Sequence, residues 1–321
     1  MRRAVDVSQF LPRPVHVEVP PLVIENLVLT TTSPPFKSDV PIIIDLVESF
    51  GGTIIAPKVT IKRLTGSNIY VHGGNGYTQT EVEIHETTID TIRVDGKLKV
   101  KYSLESDTLY ATKLEVNYNA KAIVKSLLDL YELWTHQCLV QGATVRINRA
   151  LCMADTTLNA TCYLQVNDLT TYCTTITAPS IRVNHGEIHN RSTIKATLGV
   201  TFNVLFLEES SIECPNLHCN STEYYRESSI TSREQDSQFV GNRLLMGNNM
   251  SMNKVVVKNV KVYGGTLHAR KKLRCNELEI SGGTVESPNI KTDTLHLDGR
   301  FGVTSIINPG RLTVYQNFEC M

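Results

Sequence analysis

The sequence has no C-x-x-C pair, no excess of charge of either sign, no long apolar run and little aromatic content. Each absence removes a class of protein. Eight cysteines without a close pair do not make a zinc ribbon or a thioredoxin-type redox motif, and their scattered placement suits buried reduced thiols better than a disulfide framework. Basic and acidic residues balance at 32 each, which removes the general electrostatic case for a polyanion partner and disfavours nucleic acid. No stretch approaches the roughly 18 apolar residues that cross a bilayer. Met1-Arg2-Arg3 has the charge of a signal peptide, but prolines 12, 14, 20 and 21 arrive before any apolar segment. These features point to an intracellular or virion-associated setting. With one tryptophan and 7% aromatics, a core has to be built from Ile, Leu and Val.

The common chemical signatures are missing too. There is no G-x-x-x-x-G-K-[ST], no G-x-G-x-x-G between a strand and a helix, and no G-x-S-x-G. His72-Gly73-Gly74-Asn75-Gly76 has the look of an oxyanion loop but lacks a nucleophile to serve, so it reads as a turn.

What is present is a repeat. Between Asn276 and Tyr315, Leu278, Leu295 and Leu312 fall in step, as do Ile280, Leu297 and Val314, about 17 residues apart. Paired apolar residues two apart have the period of a half-buried strand. A repeat this short has room for strands and turns only, and it can bury its inward residues by coiling on itself. The same step runs through Ile42/Ile44, Val59/Ile61, Val82/Ile84, Leu98/Val100 and Leu114/Val116, and later through Ile147, Leu164, Ile181 and Leu198. The expected fold is an all-β, single-stranded parallel β-helix (β-solenoid) of about 17 residues per coil and a dozen or more coils.

Two segments break the pattern. In 119–137, Ile123, Leu127, Leu130, Tyr131 and Trp134 recur at helical spacing behind a capping Asn119, which predicts an inserted amphipathic helix with Trp134 in the core. From 221 to 253 the chain turns polar, which predicts a loop excursion and a first candidate recognition surface; Tyr224 and Tyr225 are adjacent there. The resulting organisation is an extended arm over 1–20, coils over 21–118, the helix, coils over 138–220, the excursion, and coils and tail over 254–321.

A corner motif accompanies the coils: Leu114-Glu115-Val116-Asn117, Val145-Arg146-Ile147-Asn148, Leu164-Gln165-Val166-Asn167 and Ile181-Arg182-Val183-Asn184. Relatives with Asp end at Asp95 and Asp298. Asn and Asp tolerate a left-handed backbone, so the motif predicts sharp corners with Asn167 and Asn184 stacked.

His185-Gly186-Glu187-Ile188-His189 offers two imidazoles and a carboxylate, suitable for a metal or acid/base work if they share a face; Gly186 just past Asn184 interrupts the alternation. Cys214 to Cys219 has the wrong order and spacing for a zinc deaminase. The outward positions Arg93, Glu115, Arg146, Gln165, Arg182, Glu279, His296 and Thr313 are mixed in sign, unlike a glycosidase carboxylate pair. No catalytic residue, cofactor or metal ligand is assigned. The expected function is that of a non-enzymatic structural or interaction protein (virion, filament or scaffold component) acting on protein partners or by self-assembly. A carbohydrate-binding or carbohydrate-cleaving β-helix is the alternative. Nucleic-acid binding is the third reading, and it requires Arg270, Lys271, Lys272 and Arg274 to converge with other cations on one face.

Overall fold

The computed structural model describes residues 20–73, 80–225, 228–232, 237–297 and 305–320, and among them there is no helix. Strand accounts for 84% of the described residues, in about 15 stacked turns some 18 residues apart. All pairing is parallel, each turn with the next, as in β7 (Leu139–Met153) on β8 (Thr157–Tyr172) and β8 on β9 (Thr175–His189). At about 4.8 Å per turn the stack is a rod roughly 70 Å long.

Each turn has three straight segments. In the turn that starts at Leu139 they are 139–142, 144–147 and 149–153, here called faces A, B and C; the register shifts between A and B, and the pairing skips one residue between B and C. Each segment sends two alternate residues inward: Val140 and Gly142 from A, Val145 and Ile147 from B, Ala150 and Cys152 from C. Stacked over the rod, these positions form one aliphatic core in which Ile44, Leu64, Leu104, Leu164, Val255 and Leu295 are fully buried. Burying a side chain of this size is worth about 1.5–3 kcal/mol. The expected solenoid is the observed fold, with a pitch nearer 18 residues than 17.

The expected helix over 119–137 is instead β6 (Lys121–His136), paired on one side with β5 (Thr80–Asn117) and on the other with β7. Its inward residues are Ala122, Val124, Leu128, Leu130, Leu133 and Thr135. Steps of two along each segment, separated by steps of three or four at the corners, imitate a helical period. Of the five residues that suggested a helix only Leu130 is buried; Tyr131 and Trp134 are exposed. Asn119 is no cap. It sits at a corner with φ of 67° and donates its N–H to Gln137 O at 2.6 Å.

The expected excursion over 221–253 is likewise solenoid among the described residues. β12 (Asn216–Tyr225), β13 (Ser229–Thr231), β14 (Gln238–Met246) and β15 (Asn249–Val262) continue the stack, with Ile230, Phe239, Leu244, Met246, Met250 and Met252 inward. Most polar residues of this stretch take outward positions, and Thr222, Ser228, Ser232, Ser237 and Asn253 are buried, so few apolar residues are needed to continue the stack. The arm over 1–19, the turn residues 74–76 and Asp298 lie outside the described residues.

The corner between face C and the next face A is the tight one. Left-handed residues cluster there: Tyr118, Asn119, Gln137, Ala154, Asp155, Cys173, Asn190, Arg191 and Glu209. Inside it runs a column at a step of 18, Cys138, Thr156, Thr174, Ser192, Ser210 and Ser228, all buried. These side chains satisfy backbone groups that the turn would otherwise strand. Ser192 Oγ donates to His189 O at 2.7 Å and accepts from Thr174 N at 3.1 Å, and Ser210 Oγ accepts from Ser192 N at 3.1 Å.

Candidate functional site

The corner between faces B and C carries the asparagines of the sequence motif. Asn148, Asn167, Asn184, Asn203, Asn220 and Asn242 occupy one column, since the residues on either side of each are paired turn to turn. Asn167 and Asn184 are therefore stacked as expected. None of the six has a left-handed backbone, so the turn-forming role predicted for them belongs to the other corner. Asn117 is not in the column; it pairs with His136. Three of the amides bond to one another, Asn220 Nδ2 donating to Asn203 Oδ1 at 3.2 Å and Asn242 Nδ2 to Asn220 Oδ1, while Asn167 Nδ2 donates to Asp168 Oδ2 at 3.3 Å.

Towards the N-terminal half this corner becomes aromatic and charged. Tyr110 pairs with Asp129 and Asp129 with Arg146 down face B, and Tyr70 pairs with Arg93. Arg93 lies 5.4 Å from the Tyr70 ring and 3.5 Å from the Asp95 carboxylate, which also accepts the Tyr70 hydroxyl. That hydrogen bond to Asp95 holds the phenol pKa above its usual value. Tyr110, Tyr131, Arg93, Asp95, Asp129 and Arg146, with Asn148 and Asn167, line an open groove of about 650 Å³. Around the corner on face C, Lys113 Nζ sits 3.3 Å from the Trp134 ring centroid and also reaches Glu115 at 3.4 Å. Tyr110, Tyr131 and Trp134 are 39%, 52% and 44% exposed, so two adjacent turns present three large rings to solvent on one flank. Tyr131 and Trp134 at outward positions one turn on from Tyr110 were the signal available in the sequence, hidden by the helical reading of 119–137.

His185, Glu187 and His189 do share a face. Gly186 does not interrupt the alternation: it points inward, where a Cβ would come within 2.5 Å of the Phe202 ring. All three line a depression of about 410 Å³ on face C with Phe206 and Glu223. They do not converge on one point. His185 Nε2 lies 3.8 Å from Glu187 Oε1, whereas His189 turns to the next turn, its Nδ1 3.3 Å from Glu208 Oε2 and its ring stacked on Tyr172 at 5.1 Å. Among the described residues no three His, Cys, Asp or Glu side chains are grouped to hold a metal.

Five of the described cysteines, 138, 152, 214, 219 and 275, are buried and free, while Cys162 and Cys173 are exposed, so the expectation of buried thiols holds for five of seven. Burial pushes the thiols of Cys152 and Cys214 up to about 12. Arg93, Arg146, Gln165 and Arg182 fall in one face B column, whereas Glu115 and Glu279 belong to face C. Tyr224 and Tyr225 lie in β12, but their side chains lie outside the described residues. No helix is long and apolar enough to cross a membrane among the described residues. Comparison with protein-family models, curated proteins and solved structures finds no match to this chain.

Proposed function

We propose that the protein is a non-enzymatic structural or interaction protein, a filament, scaffold or virion component, that associates with copies of itself side by side through the flank around Tyr110. The observation that carries this reading is the exposed Tyr110, Tyr131 and Trp134 group interleaved with Arg93 and Arg146. Aromatic and arginine side chains are the types enriched at protein–protein contacts, and rings displayed on a rigid sheet give up little conformational freedom on docking. The face B column also reads as self-complementary. A second copy related by a two-fold axis through Tyr110 sets Arg93 opposite Asp129 and Tyr70 opposite Arg146, which is the isologous pattern of a closed dimer. Light scattering tests it with charge reversal. Asp129→Lys weakens association by about tenfold or more, and Arg93→Glu with Asp129→Lys recovers it; a double variant no better than the single contradicts the pairing.

A second reading is supported by the same groove. Asp95 and Asp129 share it with Tyr110 and Tyr131, the combination of carboxylates and ring platforms that suits a glycan. Screening the purified chain against polysaccharides for binding and reducing-end release separates the two. A strict monomer that releases reducing ends establishes the glycan reading and overturns the first.

A further inference from the structure

The net charge of zero conceals a segregation that only the coiling reveals. On face B of the last four described turns, the outward positions stack as Lys254, Lys272, Asn289 and Arg311 in one column and Val256, Arg274, Lys291 and Thr313 in the next. Lys258 adds a sixth cation at the corner ahead of Asn276. All but Lys254 are exposed, and Lys254 is half-buried. None of the six is ion-paired among the described residues, although elsewhere on the rod cations meet carboxylates directly: Lys62 with Asp45 at 2.8 Å, Lys97 with Glu115 at 2.8 Å, Lys261 with Glu279 at 2.7 Å. Among the described residues the nearest carboxylate in the register is Asp293, at the corner edge of the strip. Arg270 does not join the strip, because its guanidinium is engaged with Ser232 O.

We infer that this strip binds the phosphate backbone of duplex nucleic acid without reading its sequence. The geometry fits a line of phosphates. Cations repeat at about 4.8 Å down a column and at about 6.6 Å across alternate strand positions, on a sheet that cannot collapse to pair them internally. A duplex carries one charge per about 1.7 Å of its axis, so a patch on the order of 15 Å long faces several phosphates at once. Arg274 and Arg311 supply planar forks that can grip two phosphate oxygens each, and the lysines supply point charges. The strip displays no aromatic side chain among its described residues, which removes the stacking platform that single strands use. Val256 is its one outward apolar residue, too little to insert into a lipid surface. This surface lies in the last turns of the rod, several turns from the Tyr110 flank, and does not depend on it.

The test is fluorescence anisotropy of a labelled 20-base-pair DNA duplex of arbitrary sequence, titrated with the full chain from 25 to 200 mM salt. If all six cations contact phosphate, log Kobs falls with log salt at a slope of about −5, and the affinity is the same for unrelated sequences. Lys272→Gln with Arg274→Gln lowers the slope by about 2 and weakens binding at 0.1 M salt by roughly 60-fold, while Lys62→Gln on another part of the rod changes neither. Lys291→Gln with Arg311→Gln gives a second, independent pair, and the melting midpoint of each variant verifies folding. Absence of duplex binding at 25 mM salt, or binding indifferent to both pairs, overturns the inference. So does tighter binding to single strands, to a sulfated glycan competitor or to anionic vesicles.

Discussion

Ser192 shows how one side chain holds this fold. It is buried, it accepts from the Thr174 N–H, and it donates to the His189 carbonyl in the tight corner. Ser192→Ala removes the acceptor and strands a buried N–H, so unfolding free energy falls by about 1–3 kcal/mol. Asn184→Ala, on the exposed asparagine column, shifts it by less than about 0.5 kcal/mol. Denaturant unfolding of the two variants ranks them, and equal losses contradict the division of labour between the corners. The buried thiols make a second prediction at this scale. Cys138, Cys219 and Cys275 are pushed up to about 11, and Cys152 and Cys214 to about 12, from an ordinary 9.0, in each case mainly by burial. A raised folded pKa means that the unfolded chain loses its proton first. Stability is therefore intact below pH 9 and declines as pH rises towards 11–12, by about 1.4 kcal/mol per pH unit for each deeply buried thiol. Melting midpoints between pH 8 and 10.5 check this, and Cys152→Ala flattens the decline. The inward aliphatic pairs were legible in the sequence because their period is strict. The hydroxyl column from Thr156 to Ser228 is equally periodic, but Ser and Thr carry no hydropathy signal, and their role appears only when the corner is built.

At the scale of the element, β6 is the instructive failure. Its residues satisfy a helical spacing, yet as a helix it would leave β5 and β7 each with an unpaired edge, whereas as a strand it continues both ladders. The outward Tyr131 and Trp134 then become surface instead of core. A local period can therefore be overruled by the ladders on either side. The polar stretch over 221–253 failed in the opposite sense, since a coil needs only its alternate positions to be apolar, and Phe239 within it continues the row that Leu217 and Val255 hold on either side. Candidate residues His185, Glu187 and His189 were found from sequence; their relation was not, because Gly186 reads as a break until Phe202 is seen to fill the space beside it. That packing is testable. Gly186→Val overpacks the core and costs about 1–3 kcal/mol, and adding Phe202→Leu restores part of it. Strict additivity of the two changes in a melting experiment would show that they do not share the space.

For the whole molecule, stacking converts a sequence of mixed charge into faces of distinct character. Cations spaced irregularly along the chain converge on one strip, and aromatics from two turns meet on one flank, because residues about 18 apart become neighbours. A rod built this way has flat, rigid flanks, and its proposed work is done by displaying them. Sedimentation velocity on the purified chain over a hundredfold concentration range tests this most directly. The account predicts an elongated particle, consistent with a monomer roughly 70 Å long, whose weight-average coefficient rises with concentration and ceases to rise in a Tyr131→Ser, Trp134→Ser variant. A compact particle, or a sedimentation coefficient that the variant leaves unchanged, would contradict it.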